Sequence, residues 1–467
     1  MGGMFGVVSS RDCVKTLFYG TDYHSHLGTE HAGMAVFGSQ GFFKTVHNIS
    51  QVQFKSRFID DYKKMDGTSG IGAIDDETPQ PLIFRSRFGV YAVAAVGLIN
   101  NKNILVGELL DEGANFGERA GGDINNAEIV SCLINRGDNI VEGIASMRGA
   151  IAGSICALVL TTEGIYAARD KFGRFPLAVG VSKSPDVKSY VVATEASSFE
   201  NLGYELVRFL GPGEIVLLTP DGVKTLKPEG QEKKICSFLW IYTGYPSSTY
   251  EGIGVERTRE RCGIYLAKRD NVEADLVSGV PDSGVGHAIG YAMGSGIPYR
   301  RALVKYTPGY GRSYMPPTQE IRDLVATMKL CAVREVVNGN RIVICDDSIV
   351  RGTQLKNLTI KKLWDNGAKE IHVRPACPPL MFPCQYTSST RTTGELAGRK
   401  AIIALEGREP EKLDEYLDAH SAKHAKMVDW IRRDLNVTSL KYLLIEDMIA
   451  AIGLPADQLC LHCWMGK

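Results

Sequence analysis

Arg341-Ile342-Val343-Ile344-Cys345-Asp346-Asp347-Ser348-Ile349-Val350-Arg351-Gly352-Thr353-Gln354 runs from apolar to acidic to small and polar. Ile342 to Cys345 read as a strand with both faces buried in a parallel sheet. Two adjacent carboxylates follow, then a loop of Ser, Arg, Gly and Thr. Leu355, Leu358, Lys362 and Leu363 then set a helical pattern that closes near Gly367. This order suits a phosphorylated sugar. Loop amides and a helix N-terminus hold a phosphate, while the carboxylates accept from a ribose diol and attract Mg²⁺. It is not a Walker loop, because no G-x-x-x-x-G-K-[ST] is present.

An isolated Asp-Asp is usually a solvated strand end. The eight residues Asp346, Asp347, Ser348, Ile349, Val350, Arg351, Gly352 and Thr353 together resemble the PRPP-binding loop of phosphoribosyltransferases, in the form found in amidophosphoribosyltransferases.

Composition bounds what else the chain does. Its 467 residues suggest two or three domains. A formal net charge of zero gives no support to a nucleic-acid or acidic-membrane partner. No apolar run approaches a membrane span, and Met1-Gly2-Gly3-Met4 lacks the layout of a signal peptide. Eleven scattered cysteines, an odd count, argue against a disulfide framework and for the cytoplasm.

Residues 1–232 read as β-rich α+β. Strands are expected at Met4 to Val8, Ile151 to Leu160, Gly164 to Ala168, Val191 to Glu195 and Glu214 to Leu218, with a buried helix at Ala127 to Ile134. Gly164 to Gly173, Val192 to Glu195 and Pro212 to Val216 resemble the glutamine amidotransferase domain of the N-terminal nucleophile class, an αββα fold. The catalytic motifs of that class depart. The family begins C-G-I-x-G, and its Cys attacks the glutamine amide with its own α-amino group as base. Gly2 stands at that position here, so the resemblance makes it a lost nucleophile. H-R-G-Q becomes His26-Leu27-Gly28-Thr29. G-I-G-x-x-R, whose Arg clamps the glutamine carboxylate, ends here in Asp75. H-N-G-N, which supplies the oxyanion hole, becomes Ala95-Val96-Gly97-Leu98. S-D-S-E, whose Asp accepts the glutamine ammonium, becomes Asn125-Asn126-Ala127-Glu128. Nucleophile, clamp, oxyanion donor and ammonium acceptor all change together. Cys13 lies too far along the chain to substitute and reads as a buried thiol.

Residues 233–407 alternate strands and helices, as in a doubly wound α/β sheet. Strands are expected at Ala274 to Val280, Leu303 to Lys305, Arg341 to Cys345 and Glu370 to Arg374, and helices at Val285 to Met293 and Glu320 to Leu330. Ligands in such sheets sit beyond the carboxyl ends of strands, and Ser283, Lys305 and Asp346 are expected there. Val280 to Val285, Ala288 to Ala292, Ser295 to Tyr299 and Val333 to Val337 extend the resemblance, which implies a type I phosphoribosyltransferase domain. It implies that Ser283, Asp346 and Asp347 surround Mg²⁺, that Lys305 meets the pyrophosphate, and that Ser348 to Thr353 cradle the 5′-phosphate. The mobile-loop motif K-N-R-Y-x-G-R-T-F-I-x-P becomes Lys305 to Pro317, one residue longer, with Pro308 added and Arg312 kept as a second catalytic residue. Thr387 to Thr393 replaces I-D-T-P-S-R and loses its Asp.

Residues 408–467 read as two or three helices, including Asp429 to Leu435 and Leu440 to Leu444, and a Cys460-Leu461-His462-Cys463 tail. Alone, C-x-x-C suits zinc or redox chemistry. One subgroup of the family carries a [4Fe–4S] cluster, and Cys236, Cys384, Cys460 and Cys463 fill its four positions; four thiolates suit iron–sulfur or zinc. The resemblance implies an enzyme of purine biosynthesis that forms phosphoribosylamine from PRPP, here with free ammonia or another amine. It also implies nucleotide effectors and a homo-oligomer. Two alternatives stand beside it: a non-catalytic PRPP or nucleotide sensor, and a subunit fed with ammonia by a separate glutaminase.

Overall fold

The computed structural model describes residues 2–117, 123–306, 330–386 and 392–466. They form two compact units: residues 1–236 with 249–251 and 385–389, and residues 237–248 with 252–384 and 390–467.

The first unit stacks two antiparallel sheets. Its strands are β1 (Gly2–Ser9), β2 (His31–Gly38), β3 (Gly41–Asn48), β4 (Ser69–Asp75), β5 (Leu82–Ser86), β6 (Gly89–Ile99), β7 (Gly153–Leu160), β8 (Ile165–Ala168), β9 (Ala178–Ser182), β10 (Ser189–Ala193), β11 (Tyr204–Phe209), β12 (Ile215–Thr219) and β13 (Gly222–Lys227). The sheet orders are β11-β9-β10-β1-β4-β2-β3 and β13-β12-β8-β7-β6-β5. Met4 and Val8 of β1 pack with Ala92, Leu158 and Val216 of the second sheet. The opposite faces carry the helices: Val14–Asp22 and Phe54–Tyr62 on one, Asn126–Ile134 and Ile140–Ala150 on the other. This is the αββα sandwich expected. β1 is buried along its whole length, as a strand central in one sheet and covered by the other must be.

The second unit is built on a parallel sheet ordered Leu276–Gly279, Arg341–Asp346, Glu370–Pro375, Ser439–Leu440. Its apolar strands join a core that also takes Tyr416, Met427, Ile431 and Leu435 from the C-terminal helices. Two expectations are corrected here. Leu303–Lys305 does not extend the parallel sheet; it pairs antiparallel with Leu330–Ala332 in a separate ribbon. Leu440 to Leu444 is not helical, because Ser439–Leu440 pairs in parallel with His372 and Val373 as the sheet's edge strand, and backbone pairing overrides the amphipathic spacing. Helices lie instead at Asp414–Leu417, Ala422–Leu435 and Ile445–Ile452. The helix expected at Glu320 to Leu330 falls outside the described residues apart from Leu330. Most of the Thr387 to Thr393 loop does too.

Candidate functional site

The crevice of the second unit begins where two parallel strands end side by side. Gly279 pairs with Cys345, and the Val280 N–H donates to the Cys345 carbonyl at 2.9 Å. Gly284 folds back so that its N–H reaches the Val280 carbonyl at 2.8 Å. A Cβ on Gly284 would lie 2.2 Å from the Cys345 carbonyl oxygen, so only glycine permits this approach. The turn brings the Ser283 hydroxyl to Asp346 Oδ1 at 3.0 Å. Asp347 N–H donates to the same oxygen at 3.0 Å, and Ser348 Oγ donates to Asp347 Oδ2 at 2.6 Å.

Both carboxylates are buried, Asp346 at 8% and Asp347 at 6% exposure. Burial raises the pKa of Asp346 well above the usual carboxylate range, and the neighbouring Asp347 charge adds to the rise. Burial also raises Asp347, against bonds from Ser348 and Ser283 and the nearby charge of Arg259. Two desolvated carboxylates side by side favour a cation. With the Ser283 hydroxyl they make an all-oxygen donor set, which fits Mg²⁺ held by one or two carboxylates and completed by phosphate oxygens.

Beyond the acidic pair, Ile349 turns into the core at 3% exposure and anchors the loop. Val350 accepts from Ala397 N–H at 2.7 Å. Gly352 has φ +76°, which glycine adopts freely, and its carbonyl accepts from Lys356 N–H at 2.9 Å. A π-type turn over Leu355–Ile360 leads into the α-helix Lys361–Asp365. Arg351 and Thr353 are exposed, and Arg351 pairs with Glu395 at 2.7 Å. Lys305 does reach the crevice: its ammonium lies 3.0 Å from Asp282 Oδ2, with both side chains largely solvated. Arg312 lies outside the described residues.

The sequence reading passed over Asp282, although it immediately precedes Ser283, because nothing in the sequence marks an ion pair across 23 residues. It also passed over Arg259. That guanidinium is 3% exposed and donates to the carbonyls of Trp240, Tyr242 and Gly244 at 2.8–3.0 Å. Helical periodicity alone does not distinguish it from a surface arginine.

In the first unit, the positions named from the glutaminase motifs converge. Gly2 faces Asp75 across β1 and β4. Asp75 accepts from Thr78 Oγ1 and Gln80 Nε2, both at 2.9 Å, and from the N–H groups of Glu77 and Thr78. Burial raises its pKa to about 6. Gln80 ties the same cluster to Ala95, donating to its carbonyl at 2.8 Å and accepting from its N–H at 2.7 Å. Asn125 caps the Asn126–Ile134 helix through Ala127 N–H and donates to the Pro79 carbonyl at 2.7 Å. His26 Nε2 lies 2.8 Å from Glu195 Oε2, and Tyr250 donates to the other oxygen of Glu195. Cys13 is buried and its thiol is pushed up by desolvation, as expected of a packed cysteine.

Of the four cysteines, Cys236 belongs to the first unit and the other three to the second. The Cys463 carbonyl accepts from Met381 and Phe382 N–H at 2.9 and 3.1 Å, the His462 ring meets the Pro383 carbonyl at 3.2 Å, and Ser237 Oγ donates to the Cys460 carbonyl at 3.1 Å. Even so, among the described residues no three or more His, Cys, Asp or Glu side chains are grouped to hold a metal ion. No helix among the described residues is long and apolar enough to cross a membrane.

Residues 71–201 match the family described as glutamine amidotransferase domain. The chain is 32% identical to the amidophosphoribosyltransferase of Bacillus subtilis, with 100% of this chain and 93% of that protein covered. It is 30% identical to that of Methanocaldococcus jannaschii, covering 100% and 97%. A solved structure of the B. subtilis glutamine PRPP amidotransferase, complexed with ADP and GMP, superposes with a TM-score of 0.84 at 31% identity, covering 100% of this chain and 96% of the other.

Proposed function

We propose that this chain, which belongs to the amidophosphoribosyltransferase family, binds PRPP with Mg²⁺ in the crevice of its second unit. There it transfers the phosphoribosyl group to free ammonia or another amine, without hydrolysing glutamine. In that reading the backbone from Ser348 to Thr353 holds the 5′-phosphate, Asp346 and Asp347 accept bonds from the ribose hydroxyls, and Lys305 faces the pyrophosphate. Mg²⁺ held by Ser283, Asp346 and Asp347 would neutralise charge on the leaving group. The amine forms its bond to C1 of the ribose as the C1–O bond breaks. Pyrophosphate departs with the bonding pair, and the new ammonium gives up a proton to solvent.

The observation that carries the glutamine half of the proposal is the closed position of Gly2. A Cβ there would lie 2.7 Å from the Ile74 carbonyl oxygen, and the residue facing it is a buried acid rather than a cation. Glutamate formation from glutamine, assayed with PRPP and Mg²⁺ present, is expected to stay at the blank rate; steady glutamate production would overturn this half. One observation favours the sensor reading: Lys305 is already paired with Asp282. PRPP binding without turnover would select it.

Nucleotide effectors and a place in purine biosynthesis follow from solved relatives, one complexed with ADP and GMP and one an allosteric regulatory enzyme of purine biosynthesis, as parts of the same proposal. A homo-oligomer, the cytoplasm and a [4Fe–4S] cluster on Cys236, Cys384, Cys460 and Cys463 follow from the sequence resemblance alone. Iron and sulfide analysis of anaerobically purified protein tests the cluster separately, and the transfer step does not depend on it.

A further inference from the structure

The loop that holds the 5′-phosphate in the proposed reaction is braced by a segment the reaction itself does not use. Residues 395–397 run beside it. Leu396 is fully buried, and Ala397 joins the core with Ile349 and Leu435, so this segment is fixed to the body of the second unit. From it the Ala397 N–H donates to the Val350 carbonyl at 2.7 Å. One position along the loop, Arg351 Nη2 donates to Glu395 Oε2 at 2.7 Å. The two contacts fall on consecutive loop residues, one through the main chain and one through side chains. Directly after them comes Gly352 at φ +76°, whose would-be Cβ lies 3.5 Å from Leu435 and 3.8 Å from Ile349. The turn therefore packs on the same core that anchors Ala397.

As a support for the fold the Arg351–Glu395 pair is worth little, because 60% and 37% of the two side chains are exposed. Its place gives it another use. Backbone amides bind an anion well only when they already point at it, since any ordering paid on binding is subtracted from affinity. Glu395 differs here from Asp282, the largely solvated partner of Lys305, because Glu395 leads straight into the segment that bonds the loop main chain.

We infer that Glu395 is a positioning residue for phosphate binding: through Arg351 it fixes the Ser348 to Thr353 backbone before the ligand arrives, without touching the ligand. The inference rests on the phosphoribosyl reading of the crevice and deepens it at the 5′-phosphate end. A second solvated pair supplies the control. Lys356 Nζ lies 2.7 Å from Asp434 Oδ1, with 42% and 44% of the side chains exposed, four residues beyond Gly352.

The test is calorimetric titration of the full chain with ribose 5-phosphate and, separately, with magnesium pyrophosphate. The first ligand carries only the phosphate that the loop holds, the second only the group that Lys305 faces. Glu395→Gln is expected to weaken ribose 5-phosphate binding about three- to fivefold and to leave pyrophosphate binding unchanged. Arg351→Gln is expected to show the same loss, and the double variant no further loss, because the two residues act as one unit. Asp434→Asn is expected to bind both ligands as the wild type does. Ribose 5-phosphate affinity that is unchanged or tighter in Glu395→Gln, an equal loss for pyrophosphate, additive losses in the double variant, or the same loss in Asp434→Asn would overturn the inference alone. A wild type that binds no ribose 5-phosphate would overturn the phosphoribosyl reading with it.

Discussion

Gly2 and Asp75 face each other across the antiparallel strands β1 and β4, and a Cβ on Gly2 would lie 3.3 Å from an Asp75 carboxylate oxygen and 2.7 Å from the Ile74 carbonyl oxygen. Main chain and a carboxylate together leave no room for a side chain at Gly2. The neighbouring residue is as confined: a Cβ on Gly3 would lie 2.7 Å from the His24 ring.

Gly2→Cys is therefore expected to destabilise the protein without creating a glutaminase. Overpacking beside fixed backbone typically costs about 1–3 kcal/mol. The melting temperature should fall by several degrees, and glutamate release should stay at background.

Asp75 gives the first unit a pH dependence. Its carboxyl is raised from 3.8 to about 6 by burial, so the folded state holds the proton more tightly than the unfolded state does. The folded state is then favoured as pH falls through 6 toward 3.8, and that contribution is absent at pH 7. Relative to Asp75→Asn, the wild type is expected to gain about 2 kcal/mol between pH 7 and pH 4.5. Denaturant titrations of both proteins at the two pH values measure it; a difference that does not change with pH contradicts the assignment.

In the proposed reaction Asp282 competes with the PRPP pyrophosphate for Lys305. The Lys305–Asp282 pair is solvated, with 45% and 74% of the side chains exposed, so it contributes about 0–1 kcal/mol at most. Asp282→Asn is expected to leave stability unchanged and to lower the KM for PRPP by about two- to fivefold. Lys305→Ala is expected to cut kcat by about 10²–10³, the loss typical when a group stabilising transition-state charge is removed.

Asp346→Asn separates binding from folding. Removing one of two adjacent buried carboxylates relieves their repulsion, so the ligand-free protein is expected to melt at an equal or higher temperature. PRPP with Mg²⁺ should raise the melting temperature of the wild type, as binding to the native state requires, and should no longer do so in the variant.

Much of the crevice was legible because its residues are local. Ile342 to Cys345 specify a doubly buried strand through apolar continuity, and Asp346 to Gly352 follow without a break. Ser283 joined them because a second apolar run, Leu276–Gly279, ends just before it. Lys305 was placed on the right crevice by the wrong route, since a three-residue strand carries no information about its partner. Leu440 to Leu444 misled for a related reason: five residues satisfy helical and strand patterns equally, and the edge of the sheet chose between them. Arg259 and the Lys305–Asp282 pair depend on chain crossings that no periodicity encodes. In the first unit the residues Gly2 and Asp75 were visible in the sequence as departures from the motifs they resemble, but the Gln80 bonds that give Asp75 its partners were not.

The most direct test of the central claim is the initial rate of pyrophosphate release from PRPP and Mg²⁺, measured anaerobically with ammonium and with glutamine as alternative nitrogen sources. Saturable release with ammonium and none above blank with glutamine is the expected result. Equal or faster release with glutamine would contradict the account of Gly2 and Asp75. Release with neither, alongside a rise in melting temperature with PRPP, would contradict turnover and leave a protein that only binds its ligand.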